Sequence, residues 1–131
     1  INIREFFKHP AHMVGTDALL IGDHINPRTY GTFPLVLGDF VREEGILELS
    51  QAVRKMTSFP AQRLGLMDRG LLRDGMKADV VVFDPDTVGS RATLEEPQRL
   101  PDGIFYVLVN GQVVVDNARH TGALPGVALR K

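Results

Sequence analysis

The spacing of apolar residues divides the chain into a helical first half and a strand-rich second half. Between positions 34 and 44 the apolar residues fall near helical spacing, which predicts a helix there. A second helix is predicted over 49–56. A short third helix is predicted over 59–64, with Ser58 as its N-cap and Gly65 closing it.

Beyond Gly65 the pattern is that of strands. They are predicted at 71–72, 79–83, 104–109 and 112–115, with an irregular proline-containing stretch from 84 to 103. These segments are apolar without clean alternation, which indicates that both faces of the sheet are covered. The Asn110-Gly111 pair between the last two strands is a strong signal for a tight hairpin.

A short apolar stretch at 13–16 ends at Asp17 and is followed by turn residues such as Gly22, Asn26 and Gly31. This pattern predicts a strand and then a long functional loop. A carboxylate at the exit of a buried strand is where an α/β barrel places its catalytic groups. On the pattern alone, an Asp in this position is more often a turn or cap residue, so both interpretations stay open.

Composition narrows the range of functions. The 131 residues are 44% apolar and 24% charged, which is typical of a soluble globular protein with one core or two small ones. The net charge of −1, with scattered Lys and Arg, gives no nucleic-acid footprint. No apolar run approaches the roughly 20 residues of a membrane-spanning helix. With no cysteine there is no thiolate metal site, and a cytoplasmic location is favoured. The first residue is Ile1 rather than Met, which suggests a fragment or a processed chain.

The order of elements in the second half resembles a known domain. A polar turn with Gly75, an Ala-Asp-opened strand and an Asn-Gly hairpin occupy 71–85 and 106–115. This order resembles the small β-domain of metal-dependent amidohydrolases such as dihydroorotases, ureases and aminoacylases.

The first half sharpens that resemblance. Residues 14–17 and 26–34, with Val-Leu-Gly at 36–38, resemble the last barrel strand and following loop of the D-aminoacylases, the N-acyl-D-amino-acid deacylases. The resemblance continues through 52–66, the β-domain and 121–126. It covers about residues 13 to 129.

The resemblance implies a fold of the α/β plus all-β class. Residues 1–64 would be the last strand and helices of a (β/α)₈ TIM barrel, and residues 65–131 the C-terminal part of a small β-sandwich. The chain would then be the C-terminal portion of a zinc-dependent hydrolase that converts an N-acyl-D-amino acid into a carboxylate and the D-amino acid. The remainder of the barrel is its expected partner. Alone, the chain is expected to be inactive and to expose apolar surface that promotes self-association.

Three residues receive roles from the resemblance. Asp17 matches the family aspartate at the zinc centre, which orients and deprotonates the attacking water and passes its proton to the leaving amine. Arg28 matches the clamp on the substrate α-carboxylate, for which a guanidinium offers two parallel donors. A solvated loop arginine is the alternative. Tyr30 either supplies a hydroxyl to the substrate or packs.

The chain departs from the family on either side of Asp17. Thr16 stands where Ser is more common and keeps the hydroxyl, whereas Ala18 stands where Gly is more common. Ala disfavours the positive φ that Gly allows, so the start of the following loop is expected to differ.

The other polar candidates are interpreted as non-catalytic. His9 and His12 are three apart and would need a helix to converge on a metal, and a residue that precedes proline disfavours one. His24 lies in the predicted loop, either solvated or within reach of substrate. Asp79 and Asp84 bracket a strand and are interpreted as structural.

Two other classes of function stay open. One is a different amidohydrolase, a dihydroorotase-like or hydantoinase-like cyclic amide hydrolase, because the β-domain signature is shared. The other is a non-catalytic, stand-alone β-module. The segment from Asn26 to Pro34 favours the aminoacylase.

Overall fold

The computed structural model describes residues 2–20, 22 and 25–129. Its helical part comes first and its antiparallel sheet second. The helices and strands are α1 (Ile3–Lys8), α2 (Arg28–Leu35), a π-helix (Val36–Glu43), α3 (Leu49–Met56), α4 (Ser58–Leu64), β1 (Val80–Phe83), β2 (Ile104–Val109), β3 (Gln112–Asp116) and β4 (Arg119–His120).

A small core joins the helices. Phe7, Val36, Leu47 and Ala52 are buried against one another. Partly buried apolar side chains surround them: Val14, Phe40, Val41, Ile46 and Met56. The predicted helix over 49–56 is confirmed, because its apolar residues recur at helical spacing and turn one face to this core.

Helix α4 is also confirmed, with one correction at its start. Gly65 ends it in the left-handed conformation at φ 74°, as predicted. Ser58 is the first helical residue and not the cap. Thr57 occupies the cap position without a side-chain cap bond.

Helix α2 begins earlier than the sequence pattern predicted. Asn26 accepts the Arg28 N–H through Oδ1 at 3.0 Å, and Pro27 already has helical angles with φ −51°. The helix therefore starts at Arg28 and not at Pro34. Because α2 begins at Arg28, Arg28 and Tyr30 lie on a helix instead of in the predicted loop.

The predicted helix over 34–44 is present in a different form. Pro34 lies inside α2 and has no N–H to continue the regular ladder of bonds. From Val36 to Glu43 the chain continues as a π-helix. Gly38 lets this helix approach the neighbouring segment closely, because a Cβ there would lie 2.8 Å from the carbonyl oxygen of Val88.

The π-helix is tied to the sheet-bearing half by Arg42. Its Nη1 donates to the carbonyl oxygen of Val88 at 2.6 Å and to that of Pro85 at 3.3 Å. Val88 is almost completely buried. This contact fixes the irregular stretch after β1 against the helical half.

The sheet has the strand order β1-β2-β3-β4, all antiparallel. The predicted hairpin between β2 and β3 is confirmed, with positive φ at both Asn110 and Gly111, as a type I′ turn requires. The strand predicted at 71–72 is wrong, since those residues lie in bends and coil. Strand β4 was not predicted. It returns through Asn117 and Ala118, both with positive φ.

The strand predicted at 13–16 is also wrong. A strand requires a hydrogen-bonded neighbour. In the described part of the chain this segment makes one backbone bond to another element, from the Val14 N–H to the carbonyl of Lys55 at 3.1 Å. The segment is therefore coil that is attached to the end of α3.

Both faces of the sheet are partly open. The adjacent Val81 and Val82 point to opposite faces and are 50% and 46% exposed. The cover that was expected on both faces is thus not supplied by residues 2–20, 22 and 25–129. None of the helices that the structure describes has the length and apolar character to cross a membrane.

Two glycines allow a matched test of the close packing against Val88 within the sheet-bearing half. Gly103 (φ 71°) and Gly75 (φ 82°) are both left-handed, but a Cβ on Gly103 would lie 2.4 Å from the Val88 nitrogen, whereas one on Gly75 meets nothing within 4 Å. Gly75→Ala should lower the free energy of unfolding by about 1–2 kcal/mol. Gly103→Ala should cost about 1–3 kcal/mol more, because the backbone must also move. Urea unfolding measures both, and equal losses would contradict the close approach.

Candidate active site

Asp17 follows the coil segment attached to α3 and lies in the left-handed region at φ 47°. Asp is one of the few non-glycine residues that adopt this conformation readily. Its side chain is 82% exposed. The left-handed residue is Asp17 itself and not Ala18, so Ala18 does not oppose the turn. The Thr16 hydroxyl accepts the Ala18 N–H at 3.3 Å and supports the turn.

The structure brings Arg28 to Asp17. Nη2 of Arg28, in the first turn of α2, lies 3.2 Å from Oδ2 of Asp17. The early start of α2 causes this, since it places residue 28 on a fixed helix. Solvent reaches both side chains, so the pair contributes about 0–1 kcal/mol to stability.

Tyr30 lies two residues further along α2 and is half-buried. Residues two apart on a helix do not share a face, so the Tyr30 side chain leaves the helix in a different direction from Arg28. Among the described residues its hydroxyl makes no hydrogen bond. Its role stays a prediction.

A cavity of about 350 Å³ opens beside Arg28, between α1, residues 12–15 and α2. Its walls are mainly apolar, with contributions from Phe7, Val14 and Phe40. Among the described residues that line it, Arg28 is the one with a formal charge. An apolar cavity with a single cation at its edge suits a small organic anion with an apolar group.

Sequence reasoning missed Lys55, a polar residue near the site. Its side chain is only 5% exposed, and Nζ donates to the carbonyl oxygens of His9 at 2.7 Å and His12 at 3.1 Å. Burial lowers the pKa of Lys55, and the neighbouring Arg54 adds to the effect. One sequence signal could have indicated this burial: Lys55 follows Ala52 by three residues, and residues three apart share a face of a helix.

His12 is held in an apolar environment. Its ring lies 4.5 Å from that of Phe7, and its Nδ1 is buried without a hydrogen-bond partner in the described part of the chain. Burial lowers the pKa of His12, followed by the charges of Lys55 and His9. Nδ1 of His9 accepts the Ala11 N–H at 3.2 Å. The two histidines thus occupy separate environments.

The described residues do not form a complete metal site. Among them no group of three or more His, Cys, Asp or Glu side chains could hold a metal ion. A catalytic zinc takes three protein ligands, and Asp17 supplies one exposed carboxylate. His24 lies outside the described residues.

The structural interpretation of Asp79 and Asp84 is confirmed. Asp79 accepts the Asn110 N–H at 2.8 Å and Nη1 of Arg69 at 2.7 Å, which holds the hairpin to the turn before β1. Asp84 accepts the Asp86 N–H at 2.9 Å and the Thr87 hydroxyl at 3.0 Å. Asp79 thus joins distant segments, and Asp84 forms a local turn.

Comparison with known proteins identifies the family of the chain. The model of the amidohydrolase family matches residues 1–115, so the chain belongs to the amidohydrolase family. It is 48% identical over 129 residues to the N-acyl-D-glutamate deacylase of Alcaligenes xylosoxydans xylosoxydans, covering 98% of this chain and 26% of that protein.

Two crystal structures have the same fold over most of the chain. The N-acyl-D-glutamate deacylase of Bordetella bronchiseptica, complexed with zinc and a phosphonate inhibitor, superimposes with a TM-score of 0.83 at 49% identity, over 86% of this chain and 24% of that one. A D-aminoacylase structure gives a TM-score of 0.88 at 40% identity, over 92% of this chain and 26% of that one. The chain thus spans about a quarter of the length of the proteins it matches.

The half-buried His12 makes the stability of the protein depend on pH. Because its pKa is lowered in the folded protein, the unfolded chain binds this proton more readily. The free energy of unfolding that comes from neutral His12 is complete above the pKa of the unfolded chain, about 6.5. It is lost as the pH falls through the lower pKa of the folded protein. The measurement is the free energy of unfolding in urea at about pH 7.5 and about pH 5. Its decrease between the two pH values should be smaller for His12→Asn than for the wild type. His120→Asn, at an exposed position, is the control and should behave as the wild type. An undiminished loss in His12→Asn would contradict this origin.

Proposed function

We propose that this chain is the C-terminal portion of a zinc-dependent N-acyl-D-amino-acid deacylase, which hydrolyses its substrate to a carboxylate and a D-amino acid. The observation that carries the proposal is the 3.2 Å contact between Arg28 and Asp17 beside the apolar cavity. The names of the similar proteins support the same chemistry.

The substrate's own geometry matches this contact. In an N-acyl amino acid, the α-carboxylate and the amide nitrogen are attached to the same carbon. A residue that binds the carboxylate must therefore lie close to the residue that delivers a proton to the nitrogen. Arg28 and Asp17 are adjacent in this way.

In the proposed reaction Asp17 carries the proton. Its carboxylate accepts a proton from the water that attacks the acyl carbon, and it returns that proton to the nitrogen as the C–N bond breaks. The products are the free carboxylic acid and the amine, and Asp17 is regenerated. The zinc of the complete enzyme would take Asp17 as one ligand and its other protein ligands from outside the described residues.

Arg28 orients the substrate. The guanidinium has five N–H donors, and the pair with Asp17 involves Nη2. A substrate carboxylate can therefore bind to Arg28 while the side chain stays beside Asp17. Tyr30 is proposed as a further contact on the same helix.

The finer architecture is part of the proposal. Residues 1–64 would be the end of a (β/α)₈ barrel and residues 65–131 the C-terminal part of a small β-sandwich, in a cytoplasmic enzyme. The half-exposed valines of β1 support this, because the remainder of such an enzyme would cover them.

Asp17→Asn tests the proton-transfer role in the complete enzyme. Asn tolerates the left-handed backbone at this position and forms the same kind of turn, but it cannot accept a proton. We expect kcat to fall by about 10²- to 10⁴-fold, while substrate binding is retained. A variant with near wild-type kcat would reduce Asp17 to a turn residue.

Arg28→Met tests the carboxylate clamp. It should remove a charge-assisted contact worth about 1.5–3 kcal/mol, or about 10- to 150-fold in kcat/KM. The loss should shrink for a substrate whose α-carboxylate is amidated, because that partner is already missing. Arg63→Met, at an exposed position on α4, is the matched control and should leave kcat/KM unchanged. Equal losses on acid and amide substrates would indicate that Arg28 acts through the structure of α2 instead.

A further inference from the structure

Lys55 holds the segment before Asp17 from two sides. Its ammonium donates to the carbonyl oxygens of His9 at 2.7 Å and His12 at 3.1 Å. Its own backbone carbonyl accepts the Val14 N–H at 3.1 Å. Three hydrogen bonds from one residue thus fix the chain between the end of α1 and the stretch that leads to Asp17.

Few other polar contacts restrain this stretch. In the residues that the structure describes, no strand lies beside 13–16, and the Val14 N–H makes its one backbone bond to another element. The Val14 side chain adds packing against the core. The position of Asp17 therefore depends on Lys55 at one end and on Arg28 at the other.

Packing alone does not explain a lysine at position 55. Burying an ammonium group is costly, and an apolar side chain would suit a helix face that adjoins the core. No carboxylate among the described residues pairs with Lys55. The groups that its charge does satisfy are the carbonyl oxygens of His9 and His12, in the turn that follows α1.

On the basis of the proposed function, we propose that Lys55 is a positioning residue for the hydrolysis. It fixes the segment from His9 to Val14 and, through this segment, the carboxylate of Asp17. Among the described residues Lys55 makes no hydrogen bond to Arg28 or to α2, so it acts on the proton-transfer group and not on the carboxylate clamp.

The test uses the full-length protein that carries this chain and an N-acetyl-D-amino acid that the wild type hydrolyses. Lys55→Met keeps the length of the side chain and removes its donors. We expect kcat to fall about 10- to 100-fold with little change in KM, because a displacement of about 1 Å is enough for such a loss. Lys77→Met, the same change at an exposed lysine, should leave both constants unchanged. A wild-type kcat for Lys55→Met, or a loss confined to KM, would overturn the proposal.

The same substitution in the Asp17→Asn background separates positioning from general damage. If Lys55 acts through Asp17, it should cause no further loss of kcat there, since residues that act as a unit are not additive. A full additional loss in that background would show that Lys55 affects the enzyme by another route.

Hydrogen exchange gives a readout that does not depend on activity. Amides in the peptide that spans 12–17 should exchange faster in Lys55→Met than in the wild type or Lys77→Met. Unchanged exchange would overturn the positioning role even in an active enzyme. An inactive wild type, by contrast, would refute the proposed function while leaving this measurement informative.

A folding defect is also decisive. Lys55→Gln retains two N–H donors on a shorter side chain and is the second variant. If Lys55→Met does not fold, Lys55→Gln should fold and show the selective loss of kcat. Failure of both to fold would assign Lys55 to the stability of the fold and overturn the proposal.

Discussion

The packing of α3 against Phe7 and Val36 is the interaction on which the rest of the structure depends. Ala52 is completely buried in this contact, so α1, α3 and the start of the π-helix meet at a point with no room for a larger side chain. From this point α3 reaches the segment before Asp17, and the π-helix reaches the sheet through Arg42. A change in the packing around Ala52 would therefore alter the site and the attachment of the sheet together.

Local sequence signals predicted the elements that local chemistry determines. The helix over 49–56 follows from apolar spacing, and the turn at Asn110-Gly111 follows from residues that adopt positive φ. The strands predicted at 13–16 and 71–72 failed because a strand is defined by its neighbour, which no short pattern contains. The start of α2 was misplaced because the helix was predicted from position 34, whereas Pro27 occupies its cap position and Asn26 Oδ1 accepts the Arg28 N–H.

The site was predictable as separate residues but not as an arrangement. The resemblance to D-aminoacylases selected Asp17 and Arg28. The contact between them depends on the start of α2 at residue 28, which the sequence pattern did not predict. The sequence did not predict a role for Lys55, because lysine usually lies on a solvent-exposed face. Its burial follows from carbonyl groups more than 40 positions away along the chain, which no local pattern reveals.

The π-helix has a consequence for how this chain can change in evolution. A π-helix contains more residues per turn than an α-helix. The number of residues from Val36 to Glu43 therefore determines the direction in which the side chains at its end point. Deleting one residue would rotate everything that follows by the angle between neighbouring residues, which on a π-helix is smaller than the roughly 100° of an α-helix. Arg42 would then point away from the Val88 carbonyl, and the sheet would lose its attachment to the helical half. Substitutions in this segment should accordingly accumulate among relatives far more freely than insertions or deletions.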